Sequence, residues 1–172
     1  FMYVTSSEPS LMSFESDTIK FLESHHLFKG IPSQDLAIIF PFLGTERFEP
    51  GDRITREDTP GLAIYVITRG SVAMTKRKPD GDGAALLERL GKGATFGEFG
   101  MLEGSERSAS VTAVEATETL VLTDQAFRDV FTFRPETYRM IMGNLARDLS
   151  RRLRSANARI AELAPASGRS EE

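Results

Sequence analysis

The chain is 172 residues long, 40% hydrophobic and 27% charged, with a net charge of −4 and no cysteine. That length holds one domain with a real core plus an appended element, and the acidic balance gives no whole-molecule field to draw in nucleic acid. The missing cysteine excludes disulfides, iron–sulfur clusters, cysteine–zinc sites and thiol nucleophiles, and no apolar run approaches the roughly 20 residues of a membrane-spanning helix.

Residues 1–14 carry no clear period and are expected to form a loose arm. The start, FMYVTSSEPS, lacks the basic end and apolar stretch of a signal peptide, and Phe1 before Met2 reads as an added residue. The expectation is a cytoplasmic protein. Ser16 is placed to cap a helix whose Ile19, Leu22 and Leu27 point inward, and Gly30-Ile31-Pro32 breaks it. Ser33 then opens a second short helix with Leu36, Ile38, Ile39 and Phe42 as its buried side and Gly44 as its end.

From Thr45 to Leu122 the pattern changes. Turn signals at Pro50-Gly51, Pro60-Gly61, Gly70, Pro79-Asp80-Gly81, Gly91 to Gly93 and Gly104 recur at roughly 8- to 12-residue spacing. Between them lie short apolar or alternating runs at 62–67, 71–75, 84–87, 110–114 and 119–122. This predicts an all-β barrel, sandwich or jelly roll and no parallel sheet with crossover helices. After Thr123, Ala126, Phe127, Val130 and Phe131 form the apolar face of a helix that stops at Arg134-Pro135.

A last helix is predicted from Pro135 to about Leu163. Tyr138, Met142, Leu145, Leu149, Leu153, Ala156, Ile160 and Leu163 follow one another at alternating three- and four-residue steps, a heptad seam with one stutter. The seam either packs on the protein's own barrel or pairs with a second copy. At about 1.5 Å per residue the helix is about 42 Å long, more than a small barrel covers, which favours a homodimer. Arg139, Arg147, Arg151, Arg152, Arg154 and Arg159 read as its solvated face. The tail after residue 164 is polar and expected to be disordered.

The stretch FGEFGMLEGSERSAS, residues 96–110, carries the chemistry. Glycines 97, 100 and 104 let the backbone turn tightly and leave amide N–H groups free to face a ligand. Residues 99–103 can form one helical turn whose amides favour an anion. Arg107 offers a planar fork of donors suited to two phosphate oxygens. Glu98, ionised, only accepts hydrogen bonds and so suits ribose hydroxyls. The natural ligand is a small nucleotide with one phosphate close to its ribose. A surface Glu–Arg pair in a glycine-rich turn is the plainer reading of the same residues.

The stretch resembles the phosphate-binding cassette of the cyclic nucleotide-binding domain family, F-G-E-x-[AG]-[LM]-L followed after a short gap by R-[AST]-A-[TS]-V. Phe96, Gly97, Glu98, Gly100, Met101, Leu102, Arg107, Ser108, Ala109, Ser110 and Val111 fit it. Leu27 to Ile31, Phe48 to Asp52, Tyr65 to Ile67 and Arg69 to Val72 are similar to further family markers, so the likeness runs from residue 20 to about 163. The wording Glu-Arg-Ser-Ala resembles the bacterial catabolite activator branch. The resemblance implies an α+β, mainly β fold: a jelly-roll barrel with N-terminal helices and a long C-terminal dimerisation helix. Its domains would be an arm at 1–14, a nucleotide-binding domain at 15–134, the long helix at 135–164 and a tail at 165–172.

The resemblance further implies cAMP as ligand, with cGMP as the alternative, and signal transduction without catalysis. Glu98 would take the ribose 2′-hydroxyl and Arg107 the phosphate oxygens. The amides of Gly97 and Ala109 and the Ser108 hydroxyl would complete the phosphate site, with Phe96, Phe99 and Gly100 shaping the cassette. Met74 and Leu87 would touch the base, and Asn157 on the long helix would keep the polar contact that activators make there. Ser108 also leaves cGMP open, through the guanine amino group. Activators continue into a DNA-reading helix-turn-helix, whereas this chain stops at Glu172. The expectation is either a free-standing sensor addressing an unknown protein partner, without direct nucleic-acid or membrane binding, or the sensory part of a longer regulator. A third reading is an interaction domain of the same fold that has lost its ligand. A metal-holding cupin or a haem sensor is disfavoured, because the two histidines, His25 and His26, are adjacent and diverge on a helix.

Overall fold

The computed structural model describes residues 11–163. The beginning of the expected arm, through residue 10, and the expected tail at 165–172 lie outside the described residues. In chain order come α1 (Leu11–Ser24), α2 (Ser33–Ile39), β1 (Gly44–Phe48), β2 (Arg53–Thr55), β3 (Ala63–Arg69), β4 (Ser71–Arg77) and β5 (Ala84–Gly91). They are followed by β6 (Thr95–Phe96), α3 (Glu98–Glu103), β7 (Ser110–Ala113), β8 (Thr117–Thr123), α4 (Asp124–Phe133) and α5 (Pro135–Leu163). The strands form two four-stranded antiparallel sheets, ordered β1-β8-β3-β6 and β2-β7-β4-β5. This is the mainly β sandwich of jelly-roll type, flanked by helices, that the turn spacing called for.

The apolar run at 62–67 has no polar alternation because β3 is buried on both faces. Ala63, Tyr65 and Ile67 enter a core inside the two sheets, where they meet Val72, Leu90 and Val111 of the opposite sheet. Ile64 and Val66 point the other way, into a second core shared with the helices. β8 divides likewise, with Val121 inside and Leu120 and Leu122 toward the helices. The barrel and its helical cap are thus joined through two central strands, and side chains up to Ile67 and Ile64 at 0% exposure fix that junction.

In the cap, Leu22, Leu27, Leu36, Ile39, Phe127, Val130, Ile141 and Leu145 pack together. The Thr123 hydroxyl accepts from the Ala126 amide at 3.1 Å and starts α4. Asn144 of α5 donates to the carbonyls of Leu27 (3.0 Å) and Lys29 (2.9 Å), tying the long helix to the turn that follows α1.

Several expectations are corrected here. α1 is already formed at Leu11, so Ser16 sits inside it and is not its cap. Ile38 is exposed, because Leu36 and Ile39 already turn the buried side of the short α2 inward. Gly44 opens β1; a 3-10 turn at Phe40–Phe42 ends the helical region before it. Phe131 is 57% exposed, although its ring meets Tyr138 edge-on at 5.1 Å. The buried face of α5 is Thr137, Ile141, Asn144, Leu145 and Asp148, about 100° round from most of the expected seam. Leu145 is fully in the protein's own core and Tyr138, Met142 and Leu149 pack against it, so this half of the seam is not a free interface. Leu153, Ile160 and Leu163 of the later half are exposed.

Candidate ligand-binding site

The stretch 96–110 folds as β6, a tight turn, α3 and a loop leading into β7. Phe96 is fully buried and stacks on Tyr65 with centroids 4.9 Å apart, so it is core and not, as expected, a ligand contact. Gly97 turns the chain at φ 86°, and a Cβ there would stand 2.5 Å from Arg107 Nη1 and 2.7 Å from the Ala63 carbonyl. Gly100 touches Gly61: a Cβ on Gly100 would come within 2.9 Å of the Gly61 Cα. Both positions require glycine because backbone packs directly against backbone.

Arg107 is buried at 7% exposure, and its Nη1 donates to the carbonyls of Ala63 (2.8 Å) and Gly97 (2.7 Å). The rest of its guanidinium meets no acceptor among the described residues, no carboxylate there is within ion-pair distance of it, and its backbone N–H donates to the Thr59 carbonyl at 2.7 Å. Burial lowers its pKa from the ordinary arginine value, with Tyr65 and Glu98 opposing. A guanidinium so placed is held by two backbone carbonyls and retains donors and its full charge for an anion.

A cavity of about 480 Å³ opens beside it. Of the residues expected at the ligand, Met74, Gly97, Glu98, Phe99, Gly100, Arg107, Ser108 and Ala109 line it. Leu87 and Asn157 do not. β5 carries a bulge: Met74 pairs with Glu88 and Thr75 with Leu86, so Leu87 is the unpaired residue and faces solvent at 48% exposure. Glu88 takes the inward place. Asn157 lies one helix position past Ala156, and it is Ala156, with Leu149, Ser150, Arg152 and Leu153, that α5 presents to the cavity. The floor is one rung across a whole sheet, Thr55 paired with Val111, Val111 with Met74, and Met74 with Glu88.

Arg152, read from the sequence as part of a solvated face, instead turns inward and lines the cavity. Its Nη1 lies 2.9 Å from Glu98 Oε1, and its Nη2 donates to the Thr95 carbonyl at 2.7 Å and lies 3.0 Å from Asp148 Oδ2. The Glu98 side chain is only 3% exposed. Burial pushes its carboxyl up from the usual carboxylate range, and Arg152 pulls it back. The signal in the sequence was Asp148 four residues before Arg152, an acid-then-base pair that orients the arginine along the helix. For Glu88 it was the parity with Leu90, two residues on and buried at 7%.

The histidines are structural. His25 is buried; its Nδ1 accepts from the Leu27 amide (3.2 Å), so Nε2 carries the proton and donates to the Gly93 carbonyl (2.9 Å). Burial, with His26 adding, lowers its pKa to about 4. His26 Nε2 lies 3.5 Å from Asp148, and burial lowers its pKa too. Among the described residues no three histidine, aspartate or glutamate side chains converge as a metal site would need, and no helix is long and apolar enough to cross a membrane.

A jelly roll whose glycine turn, buried arginine and buried glutamate face one cavity has the make-up of a small-ligand-binding domain. Its family follows from comparison: residues 45–132 match the model of the cyclic nucleotide-binding domain, and the chain belongs to that family. The CRP-like cAMP-activated global transcriptional regulator of Mycobacterium tuberculosis is 31% identical over 137 residues, 80% of this chain and 59% of that protein. Human cGMP-dependent protein kinase 2 is 31% identical over 136 residues, 77% of this chain and 18% of the kinase. The solved catabolite activator protein of Thermus thermophilus superposes with a TM-score of 0.70 at 30% identity, over 80% of this chain and 62% of that one. The chain therefore spans about 59% of the mycobacterial regulator's length.

Proposed function

We propose that this chain is a non-enzymatic sensor that binds a cyclic mononucleotide and passes the binding event to α5. The observation that carries the reading is Arg107: a buried guanidinium with no carboxylate partner among the described residues, on the wall of a cavity of about 480 Å³. Two carbonyls, the Tyr65 ring and the field of Glu98 offset that charge only in part, and a bound phosphate would pair with it directly. The Gly97 and Ala109 amides and the Ser108 hydroxyl complete the anion grip, and Glu98 accepts from a ribose hydroxyl.

The route to α5 is Arg152. A ribose hydroxyl at Glu98 shares or replaces the acceptor that Arg152 uses, so ligand binding acts on the helix through a single ion pair. The helix shifts only by the ligand's differential affinity for its two placements. The exposed end of α5, with Leu153, Ile160 and Leu163, supports a homodimer and contact with a downstream protein partner. The names of the relatives point to both cAMP and cGMP; cAMP is the ligand favoured by resemblance to the activator branch.

Calorimetric titration with cAMP, cGMP and 5′-AMP tests the reading. Micromolar or tighter binding of a cyclic nucleotide is expected, with 5′-AMP much weaker because its open phosphate differs in shape and charge. Equal affinity for 5′-AMP and both cyclic forms would refute a cyclic-phosphate site. A domain of this fold that binds no nucleotide is the competing reading, favoured by the hold of Arg152 on Glu98, and absence of binding in the same titration would establish it.

A further inference from the structure

The charged residue on the cavity floor that no expectation assigned is Glu88. It stands opposite Met74 in the antiparallel ladder, on the inner face, because the bulge at Leu87 breaks the alternation just before it. The rung Thr55–Val111–Met74–Glu88 crosses the sheet from β2 to β5. At about 4.8 Å between neighbouring strands, Glu88 is about 10 Å from β7, the strand that the Arg107–Ala109 grip leads into. Its neighbour on the rung, Met74, is apolar, as are Val111, Leu153 and Ala156 in the same lining, which also holds Thr55, Ser108, Ser150 and Arg152. Among the described residues Glu88 forms no ion pair, in contrast to Glu98, which Arg152 holds.

We propose that Glu88 determines the specificity of this cavity by reading the edge of the ligand's base, and that it selects a guanine ring over an adenine ring. The inference rests on the cavity being a cyclic-mononucleotide site. An ionised carboxylate has acceptors only. Guanine presents N1–H and its 2-amino group side by side, so both carboxylate oxygens are matched at once. Adenine presents its 6-amino group beside N1, an acceptor, so one oxygen is matched and the other faces a lone pair. Carboxylate recognition of an exocyclic base amine is well founded chemically. The preference runs against the cAMP choice that resemblance favours, and it comes from a residue that the resemblance did not include.

The test is titration of wild type, Glu88→Gln and Glu88→Ala with cGMP, cAMP and the cyclic monophosphate of inosine, which keeps N1–H but lacks the 2-amino group. Glu88 is exposed at the edge of its sheet, so both variants are expected to fold, and thermal melts verify it. Wild type is expected to bind cGMP about five- to tenfold more tightly than cAMP, the lower end for a paired base contact because the side chain is solvated. The inosine ligand falls between. In both variants the ratio collapses toward one through loss of cGMP affinity, with cAMP unchanged or tighter. Tighter cAMP binding by wild type, or the same ratio in all three proteins, overturns the role of Glu88 while leaving a cyclic-nucleotide site standing. Failure of wild type to bind any of the three overturns both.

Discussion

Arg152 Nη1 and Glu98 Oε1 meet at 2.9 Å across 54 positions of sequence. The same guanidinium reaches Asp148 on its own helix and the Thr95 carbonyl on the strand before the cassette. One side chain therefore fastens α5 to the carboxylate that a ribose would need. Replacing Arg152 with Met leaves a buried carboxylate without a counter-charge. The expected loss is about 1–3 kcal/mol, less than for a fully buried pair because the Arg152 side chain is 32% exposed.

That loss has a pH signature. Burial raises the Glu98 pKa in the folded protein, and removing Arg152 raises it further. A carboxyl raised on folding is stabilising while protonated and loses that stability as pH rises through its folded pKa. The Arg152→Met deficit should thus be larger at pH 8 than at pH 5, as read by urea unfolding. An equal deficit at both values would mean that Arg152 acts by packing alone.

Arg107→Ala should weaken cyclic-nucleotide binding by about 2–5 kcal/mol, the range for truncating one side of a buried charge pair. Arg107→Lys should recover little, since an ammonium carries its donors on a single atom and lacks the planar fork that holds the Ala63 and Gly97 carbonyls on one nitrogen while presenting the others to a phosphate. Titration with melting curves separates the two roles. A lysine variant of unchanged affinity would remove Arg107 from the phosphate grip.

How much of this was legible beforehand follows from range. The cassette was readable because its glycines, Glu98 and Arg107 lie within a dozen positions and their spacing is local. Strand runs such as 62–67 were visible through apolar density. β1, β2 and β6 were not among the runs read from apolar density: Gly44–Phe48 is almost wholly exposed, and the other two span only a few residues. Arg152 was misread because Asp148, four residues before it, orients the side chain along the helix but carries no sign of the buried Glu98, which lies 54 positions away. Leu87 was misassigned because one bulged residue inverts strand parity.

His25 makes the fold acid-sensitive. Its pKa is about 4 folded against an ordinary value of 6.5, so its contribution is complete above about pH 6.5 and is lost as pH falls toward 4. The amount is up to about 3 kcal/mol. His26 acts in the same direction, and Glu98 opposes both over the lower part of that window. In His25→Phe, flanked by Phe21 and Phe28, the fall of melting temperature between pH 6.5 and 4.5 should flatten. An unaltered slope would assign the sensitivity elsewhere.

The homodimer proposal now rests on half of the expected seam. Tyr138, Met142 and Leu145 are taken up by the protein's own core, whereas Leu153, Ile160 and Leu163 are 62%, 65% and 83% exposed. Ile160 lies beyond the cavity lining, and Leu153 belongs to it, so the two positions separate assembly from binding. Ile160→Glu should give monomers by light scattering, because it places a charge in an apolar helix pairing. Leu153→Glu should give monomers that also bind nucleotide less tightly. A monomeric wild type would remove the dimer. If Ile160→Glu is monomeric and binds as wild type does, the cavity is complete within one chain, and the α5 face then serves assembly without closing the pocket.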